Sequence, residues 1–302
     1  MRYPKLPLSF EQQADRLLER GLIADRDQLT HCLTEVNYYR LSAYWYPFRL
    51  PASDSLKPET SLDIIWDRYV FDRQLRVLTM DAIERAEISI RTRLINLFTL
   101  QYGAFGHIDR KNLPNLSVEN HRKFMGKIRN EETRSKEEFI AHYHGKYTSE
   151  TDLPLWIAAE LMDFGTMFTL YRGVEASIKQ DVALAYGISD RVLKSWLTSL
   201  NTIRNSCAHH SRLWNRTLGT PIMIPRKNKH PDWHAPVDIT LSDRRVFGVL
   251  SVLHYMLRGI APQSGWKGRL TYLLETKHPQ IPIHNMGFPD NWKNSPIWEN
   301  EK

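Results

Sequence analysis

The stretch YVFDRQLRVLTMDAIERAEISIRTRL, residues 69–94, decides the fold of this chain. Its apolar side chains recur at steps of three and four, a spacing that places them on one face of an α-helix. The periodicity continues on both sides and predicts one helix over about residues 62–102, ended by Gly103 and Gly106. Because the pattern exceeds 25 residues, it also allows a kink or a helix break. The predicted buried face consists of Phe71, Leu75, Leu78, Ala82, Ala86, Ile90, Leu94 and Leu97.

Two shorter helices are predicted before the long one. Ser9 and Gln12 have the spacing of a capping box, which begins the first helix. Gly21 is placed to end that helix, because glycine adopts the left-handed conformation without strain. Asp25 or Asp27 then serves as the N-cap of the second helix.

The rest of the chain also shows helical patterns and no alternating strand. Pro51 and Pro58 mark an irregular linker, so we divide the chain into an N-terminal helical module, 1–58, and a larger helical domain, 59–302, that pack as one unit. The polar stretch 107–151 is expected on the surface. Further helices are predicted over about 154–171 with a break near Gly165, 177–186, 189–207, 242–258 and 265–277. The fold class is therefore all-α, with an irregular aromatic C-terminal tail that packs back onto the body.

Composition narrows the range of functions. The chain has 302 residues and a net charge of +7, and a basic excess favours anionic partners such as nucleic acid. Its two cysteines, Cys32 and Cys207, are far apart, which argues against a disulfide framework and a thiolate metal site. The N-terminus lacks the apolar core of a signal peptide, and no apolar run is long enough to span a membrane. We therefore expect a cytoplasmic protein.

The segment RNSCAHHSRLWNR, residues 204–216, gathers basic and polar side chains at the end of a predicted helix that Ser189 caps. Histidine transfers protons near neutral pH, and arginine holds phosphate with a planar fork. This combination suits cleavage of RNA by its own 2′-hydroxyl, a reaction that requires no metal ion. Taken singly, such residues are more often ordinary surface groups, and a histidine at a helix C-terminus simply complements the helix dipole.

Helical geometry separates the two residues best suited to this chemistry. Arg204 precedes His209 by five positions, so the two side chains point about 140° apart on an ideal helix. Asn201, Asn205 and His209 are spaced by four and form one ridge. A direct contact between Arg204 and His209 within one straight helix is therefore not expected. A distorted helix end or a second copy of the chain would bring both groups to one ligand.

Two further clusters have both a functional and an ordinary interpretation. Glu84, Glu87 and Arg91 share one face of the long helix, either as a solvent-facing salt ladder or as groups that orient Arg204 or His209. The aromatic run NYYRLSAYWYPF, residues 37–48, is able to stack RNA bases, although aromatic runs more often lie in a core.

Six stretches in order along the chain resemble the Abi-like proteins of bacterial abortive-infection systems, of the AbiD/AbiF type. They cover residues 37–48, 69–94, 101–107, 154–171, 204–216 and 287–292. That family is similar to HEPN proteins, whose nuclease members carry an R-x(4–6)-H motif on a late helix of an α-helical bundle. Arg204 and His209 occupy the motif here, with Asn205 as the usual polar follower.

The resemblance implies a metal-independent endoribonuclease without a cofactor, acting in anti-phage defence. Because HEPN motifs work in pairs and this chain has one, it also implies a homodimer with both motifs in a shared cleft. A small regulatory non-coding RNA and a phage trigger are possible partners. In this interpretation Arg204 and His209 are catalytic. The predicted supporting groups are Asn205, His210, Glu84 and Glu87. The predicted contacts to the RNA backbone are Arg91, Arg212 and Arg216.

Two alternatives without catalysis fit the same sequence. The first is an RNA-binding regulator that uses Arg204 for binding and releases no product. The second is a protein-interaction effector whose aromatic segments recognise a phage component. RNA cleavage separates both alternatives from the nuclease hypothesis.

Overall fold

In a computed structural model that describes residues 6–299, the chain forms twelve α-helices joined by loops and short 3₁₀ turns. Within these residues the only strand-like pairings are three isolated bridges, so the all-α prediction is confirmed. None of the helices described is both long and apolar enough to cross a bilayer. The helices are α1 (Phe10–Glu19), α2 (Arg26–Val36), α3 (Tyr38–Trp45), α4 (Leu62–Tyr102), α5 (Val118–Arg134), α6 (Glu138–Lys146), α7 (Leu155–Ala158), α8 (Phe164–Gly173), α9 (Ala176–Leu184), α10 (Asp190–Ala208), α11 (Val246–Ile260) and α12 (Trp266–Tyr272).

The predicted helix boundaries at the N-terminus are confirmed. The Ser9 side chain accepts from the Gln12 backbone N–H and the Gln12 side chain accepts from the Ser9 backbone, which forms the complete capping box. Gly21 has a φ of +92° just beyond α1. Asp25, rather than Asp27, caps α2 through the backbone N–H of Gln28. Local side-chain chemistry is sufficient to set these boundaries because each cap satisfies backbone groups of its own helix.

Helix α4 is the centre of the fold. It runs for 41 residues as one helix, so the helix break that its length allowed does not occur. Gly103 ends it with a φ of +76°. Helices α3, α9, α10, α11 and α12 all pack against it. The predicted face is confirmed, with Leu78 and Leu97 partly buried and its other members fully buried.

One buried carboxylate on α4 joins three parts of the chain. Asp72 is fully buried and accepts a hydrogen bond of 2.6 Å from the Tyr44 hydroxyl of α3. It also accepts from the backbone N–H groups of Leu213 at 3.0 Å and Trp214 at 2.5 Å, beyond the end of α10, and from the Arg76 guanidinium on its own helix. Burial raises the pKa of Asp72, while Arg76 and the other donors favour the ionised form. Tyr44 lies in the predicted N-terminal module, so this cluster ties the module to the rest of the chain.

Several helices differ from their predicted form. The stretch 107–151 is largely exposed, but α5 and α6 also contribute core side chains such as Phe124 and Ile128. The break predicted near Gly165 lies at Met162 and Asp163, where the chain is extended before α8 begins. The helix expected to start at Ser242 is a 3₁₀ turn there, and α11 begins only at Val246. The helix expected over 265–277 changes to a π-helical turn after α12.

The C-terminal tail packs onto α11 and α12, as predicted. Phe288, Trp292 and Trp298 are buried, and the Trp298 indole donates to Ser251 at 2.9 Å. His254 of α11 stacks on Trp298 with ring centroids 4.8 Å apart. Burial, together with the positive charges of Lys267 and Arg258, lowers the pKa of His254 to about 4. The tail therefore encloses a neutral histidine within an aromatic cluster.

Replacing the Asp72 carboxylate should destabilise the protein strongly. Asp72→Ala leaves Arg76 and two backbone N–H groups buried without their acceptor, which is expected to cost about 3–5 kcal/mol of unfolding free energy. Urea denaturation measures this loss. The control Asp181→Ala removes an exposed carboxylate of α9 and should change stability by less than about 0.5 kcal/mol. Equal effects of the two substitutions would contradict the role given to Asp72.

Acid should destabilise the protein through its buried histidines. His254 titrates near 6.5 in the unfolded chain and at about 4 in the fold, so lowering the pH through this window protonates the unfolded state first. Between pH 7 and pH 5 this residue should account for a loss of about 2 kcal/mol. His254→Phe keeps an aromatic ring on Trp298 and should reduce the loss by about that amount in urea denaturation at the two pH values. The control His142→Ala removes an exposed histidine and should not reduce the loss assigned to His254.

Candidate functional site

Helix α10 presents the candidate site at its C-terminal end. Its predicted stripe is buried against the core, which fixes the rotation of the helix and turns the polar residues of the last turns outward. Arg204 is partly buried, whereas Asn205, His209 and His210 are exposed. The buried stripe consists of Leu193, Trp196, Leu200, Ile203 and Cys207.

A tight turn follows α10 and holds the two histidines at the surface. His209 is the C-cap, and its backbone N–H donates to the carbonyl oxygen of Asn205 at 2.9 Å. His210 has a φ of +57°, a left-handed conformation that is uncommon outside glycine. The Ser211 N–H then donates to the Ser206 carbonyl oxygen at 2.8 Å. These contacts stop the helix and direct the chain toward Leu213 and Trp214, whose N–H groups reach Asp72.

Arg204 faces a charged cluster formed by α4 and the start of α8. The positive charges of Arg91 and Arg204 favour the ionised form of Glu87, although burial raises the pKa of that carboxyl overall. Glu84 is exposed and adds a neighbouring negative charge. The charges of Glu87, Arg91 and Arg204 therefore interact where α10 packs on α4.

Asp163 is a member of this cluster that the sequence analysis missed. It caps α8 by accepting from the Thr166 N–H at 2.6 Å. Burial raises the pKa of Asp163, but the Thr166 hydrogen bonds and the charges of Lys127 and Arg204 outweigh it and lower the pKa below its usual value. An aspartate directly before a helical stretch is the signal that identifies such a cap, because its side chain accepts from the backbone N–H of the third helical residue. Arg204 therefore has two carboxylates in its surroundings, one from each neighbouring helix.

His209 faces a different part of the surface, a concave region of about 540 Å³ between the first turns of α3 and residues 209–212. We call this region the α3 groove. The Arg40 guanidinium donates to the His210 carbonyl oxygen at 2.6 Å, and the Arg212 guanidinium donates to the Ala43 carbonyl oxygen at 2.5 Å. These two contacts attach α3 to the turn that carries the histidines.

The two halves of the motif point to separate surroundings. Arg204 lies beside α4 and α8, whereas His209 lines the α3 groove. Among the hydrogen bonds of residues 6–299, none joins their side chains, and the Arg204 guanidinium instead donates to Asn205 Oδ1 at 3.5 Å. Within the described residues, Arg204 and His209 therefore share no side-chain hydrogen bond, in line with the divergence expected from helical geometry.

The three arginines predicted to follow the RNA backbone all hold protein carbonyl groups. Arg91 donates to the carbonyl oxygens of Ala159 at 3.0 Å and Met162 at 3.1 Å, which secures the break before α8. Arg212 bonds to α3 as described, and Arg216 donates to the Arg212 carbonyl oxygen at 3.4 Å. Each guanidinium has further donors, so contact with RNA stays a prediction for these residues.

The cysteine inside the motif is unsuited to nucleophilic chemistry. Cys207 is buried, and burial raises the pKa of its thiol to about 12, so it stays protonated at neutral pH.

In residues 6–299, no cluster of three or more His, Cys, Asp and Glu side chains has an arrangement suited to a metal ion.

Comparison with known proteins identifies the family of the chain. Neither the search of curated proteins nor the search of solved structures returned a match. A family model described as Abi-like protein matches residues 31–215, which is more than half of the chain. The matched region contains both Asp72 and the complete end of α10 with Arg204 and His209. The chain therefore belongs to the Abi-like protein family.

Proposed function

We propose that this protein is a metal-independent endoribonuclease of the HEPN type that acts as a homodimer in bacterial defence against phage. The observation that carries the proposal is the end of the packed helix α10, where Asn205 and His209 are exposed and Arg204 is partly exposed. Membership of the Abi-like family supports the defensive role. The basic charge of the chain is consistent with an RNA substrate.

The proposed reaction uses groups that RNA and these side chains supply. The 2′-hydroxyl attacks the adjacent phosphorus, the bond from phosphorus to the 5′-oxygen breaks, and the products carry a 2′,3′-cyclic phosphate and a 5′-hydroxyl. His209 acts as the general base toward the 2′-hydroxyl or as the general acid toward the leaving 5′-oxygen. Arg204 binds the non-bridging phosphate oxygens, where negative charge grows in the transition state.

The neighbouring residues have supporting roles. Glu87 and Asp163 surround Arg204 with negative charge, which favours one orientation of the guanidinium before RNA binds. Asn205 and His210 are exposed beside the motif and supply additional hydrogen bonds to phosphate or ribose. Glu84 contributes charge to the same cluster from a more exposed position.

A dimer completes the site because one copy separates its arginine from its histidine. Arg204 and His209 face different sides of α10, so a single phosphate cannot easily contact both from the same chain. Pairing two copies across the ends of their α10 helices would place one copy's Arg204 near the other copy's His209. The cleft would then be isologous, with each copy contributing the same residues.

Removing either motif residue should abolish RNA cleavage. Purified full-length protein incubated with RNA in EDTA is expected to give products with 2′,3′-cyclic phosphate ends. His209→Ala and Arg204→Ala should each lower the rate by about 100-fold or more, because each removes a proton-transfer group or a phosphate ligand. Gel separation and end-group analysis measure both rate and chemistry.

Matched control variants distinguish loss of a catalytic group from removal of any histidine or arginine at the surface. His142→Ala and Arg122→Ala remove an exposed histidine and an exposed arginine outside the site and should leave the rate unchanged. Equal cleavage by wild type and His209→Ala would refute the nuclease assignment. RNA binding that depends on Arg204 without any product would instead indicate a regulator that binds RNA.

Mixing the two inactive variants should restore activity if the cleft is shared. In a mixed dimer of Arg204→Ala and His209→Ala, one chain supplies an intact histidine and the other an intact arginine. Random exchange gives about half mixed dimers with one intact composite site each, so about a quarter of wild-type activity is expected. Differently tagged copies verify the exchange. No recovery in verified mixed dimers would show that each chain forms its site alone.

A further inference from the structure

The α3 groove is a basic depression in the surface, and the proposed reaction assigns no ligand to it. It is an open region of about 540 Å³, accessible to a polymer that runs across it. His209 lines it, so whatever occupies the groove lies beside the proposed proton-transfer group. The occupant is therefore expected to be the part of the substrate adjoining the scissile phosphate.

The ionisable side chains of the groove are basic, apart from two tyrosines, the exposed Tyr39 and the buried Tyr44. Arg40, Arg212, His209 and His210 line it, and no carboxylate does so among residues 6–299. Two of these residues are already fixed by hydrogen bonds to backbone carbonyl groups, Arg40 to His210 and Arg212 to Ala43. A preformed basic wall favours an anionic ligand and needs little reorganisation when that ligand binds.

An exposed aromatic ring stands on the same wall. Tyr39 is 75% exposed, in contrast to its neighbours Tyr44 and Trp45, which are buried in the core. Its backbone N–H donates to Asn37 Oδ1 at 2.8 Å, and this N-cap fixes Tyr39 in the first turn of α3. The Tyr38 ring meets it edge-on, with centroids 6.1 Å apart. The aromatic run thus divides into a buried part that holds α3 and an exposed part that lines the groove.

We propose that the α3 groove is the nucleotide subsite next to the scissile phosphate and that Tyr39 stacks on an unpaired RNA base there. Single-stranded RNA is bound by this combination of features, an aromatic platform for the base and cationic groups for the backbone. An acidic peptide would match the charge but would leave the exposed ring without a planar partner. This inference rests on the proposed function and assigns its substrate class, unpaired rather than duplex RNA.

The test measures RNA binding by the full-length protein and two tyrosine variants. The probes are fluorescent single-stranded oligonucleotides of about ten nucleotides, fully 2′-O-methylated so that the attacking hydroxyl is blocked. Tyr39→Ala should weaken binding about 5- to 150-fold, the effect of losing one base–aromatic stack. Tyr39→Phe keeps the ring and should bind within about twofold of wild type.

Tyr46 supplies a matched control from the same aromatic run. It is 67% exposed and does not line the groove, so Tyr46→Ala should bind within about twofold of wild type. Duplexes of the same length should show no difference between Tyr39→Ala and wild type. Equal single-strand binding by Tyr39→Ala and Tyr46→Ala would overturn the subsite, as would wild-type protein that binds none of the probes.

Two further results separate this inference from the proposed function. If wild type cleaves RNA but Tyr39→Ala changes neither binding nor the base preference at the cut, the subsite is wrong and the nuclease stands. If binding depends on Tyr39 but no cleavage occurs, the α3 groove stands as a site for an unpaired RNA base, and the nuclease is wrong. Loss of the dimer in Tyr39→Ala, measured by light scattering, would assign Tyr39 to contact between copies and overturn the subsite.

Discussion

The buried carboxylate of Asp72 is the constraint on which the arrangement of the chain depends. A carboxylate without solvent is unfavourable unless donors surround it, and those donors come from α3, from α4 and from the segment after α10. The observed placement of these three elements brings all the donors to the same two oxygens. Apolar packing of α4 supplies the larger favourable energy, but packing alone tolerates small shifts between helices. The hydrogen bonds to Asp72 restrict such shifts, because they depend on the direction and distance of each donor.

This constraint extends to the candidate site through the turn after α10. On one side of the turn Leu213 and Trp214 bind Asp72, and on the other side the His210 carbonyl oxygen accepts from Arg40. His209 lies just before these attachments, between them and the buried apolar stripe of α10. A side chain proposed to transfer protons is therefore exposed to solvent while its backbone is held at both ends. The same attachments make α3 one wall of the groove beside His209.

The helices and their caps were predictable because they depend on nearby residues. Apolar spacing located α4 to within the residue, and capping chemistry located the starts of α1, α2 and α10. Predictions were less accurate where tertiary contacts override local preference. Asp163 moves the break before α8 ahead of Gly165, and Arg91 stabilises that break from a helix some seventy residues earlier. Asp72 itself is adjacent to the apolar face of α4, and the residues near it in the sequence do not indicate that Tyr44 and Trp214 donate hydrogen bonds to it.

The sequence by itself determined the fold class, the central helix and the presence of Arg204, Asn205 and His209 at one helix end. It also determined that Arg204 and His209 diverge, because the angle between them follows from helical geometry alone. Only the tertiary structure decided what each of them faces, carboxylates from α4 and α8 for Arg204 and the basic α3 groove for His209. The physical reason is that local periodicity fixes the direction of a side chain about its own helix. The groups it meets are set by packing between segments far apart in the chain.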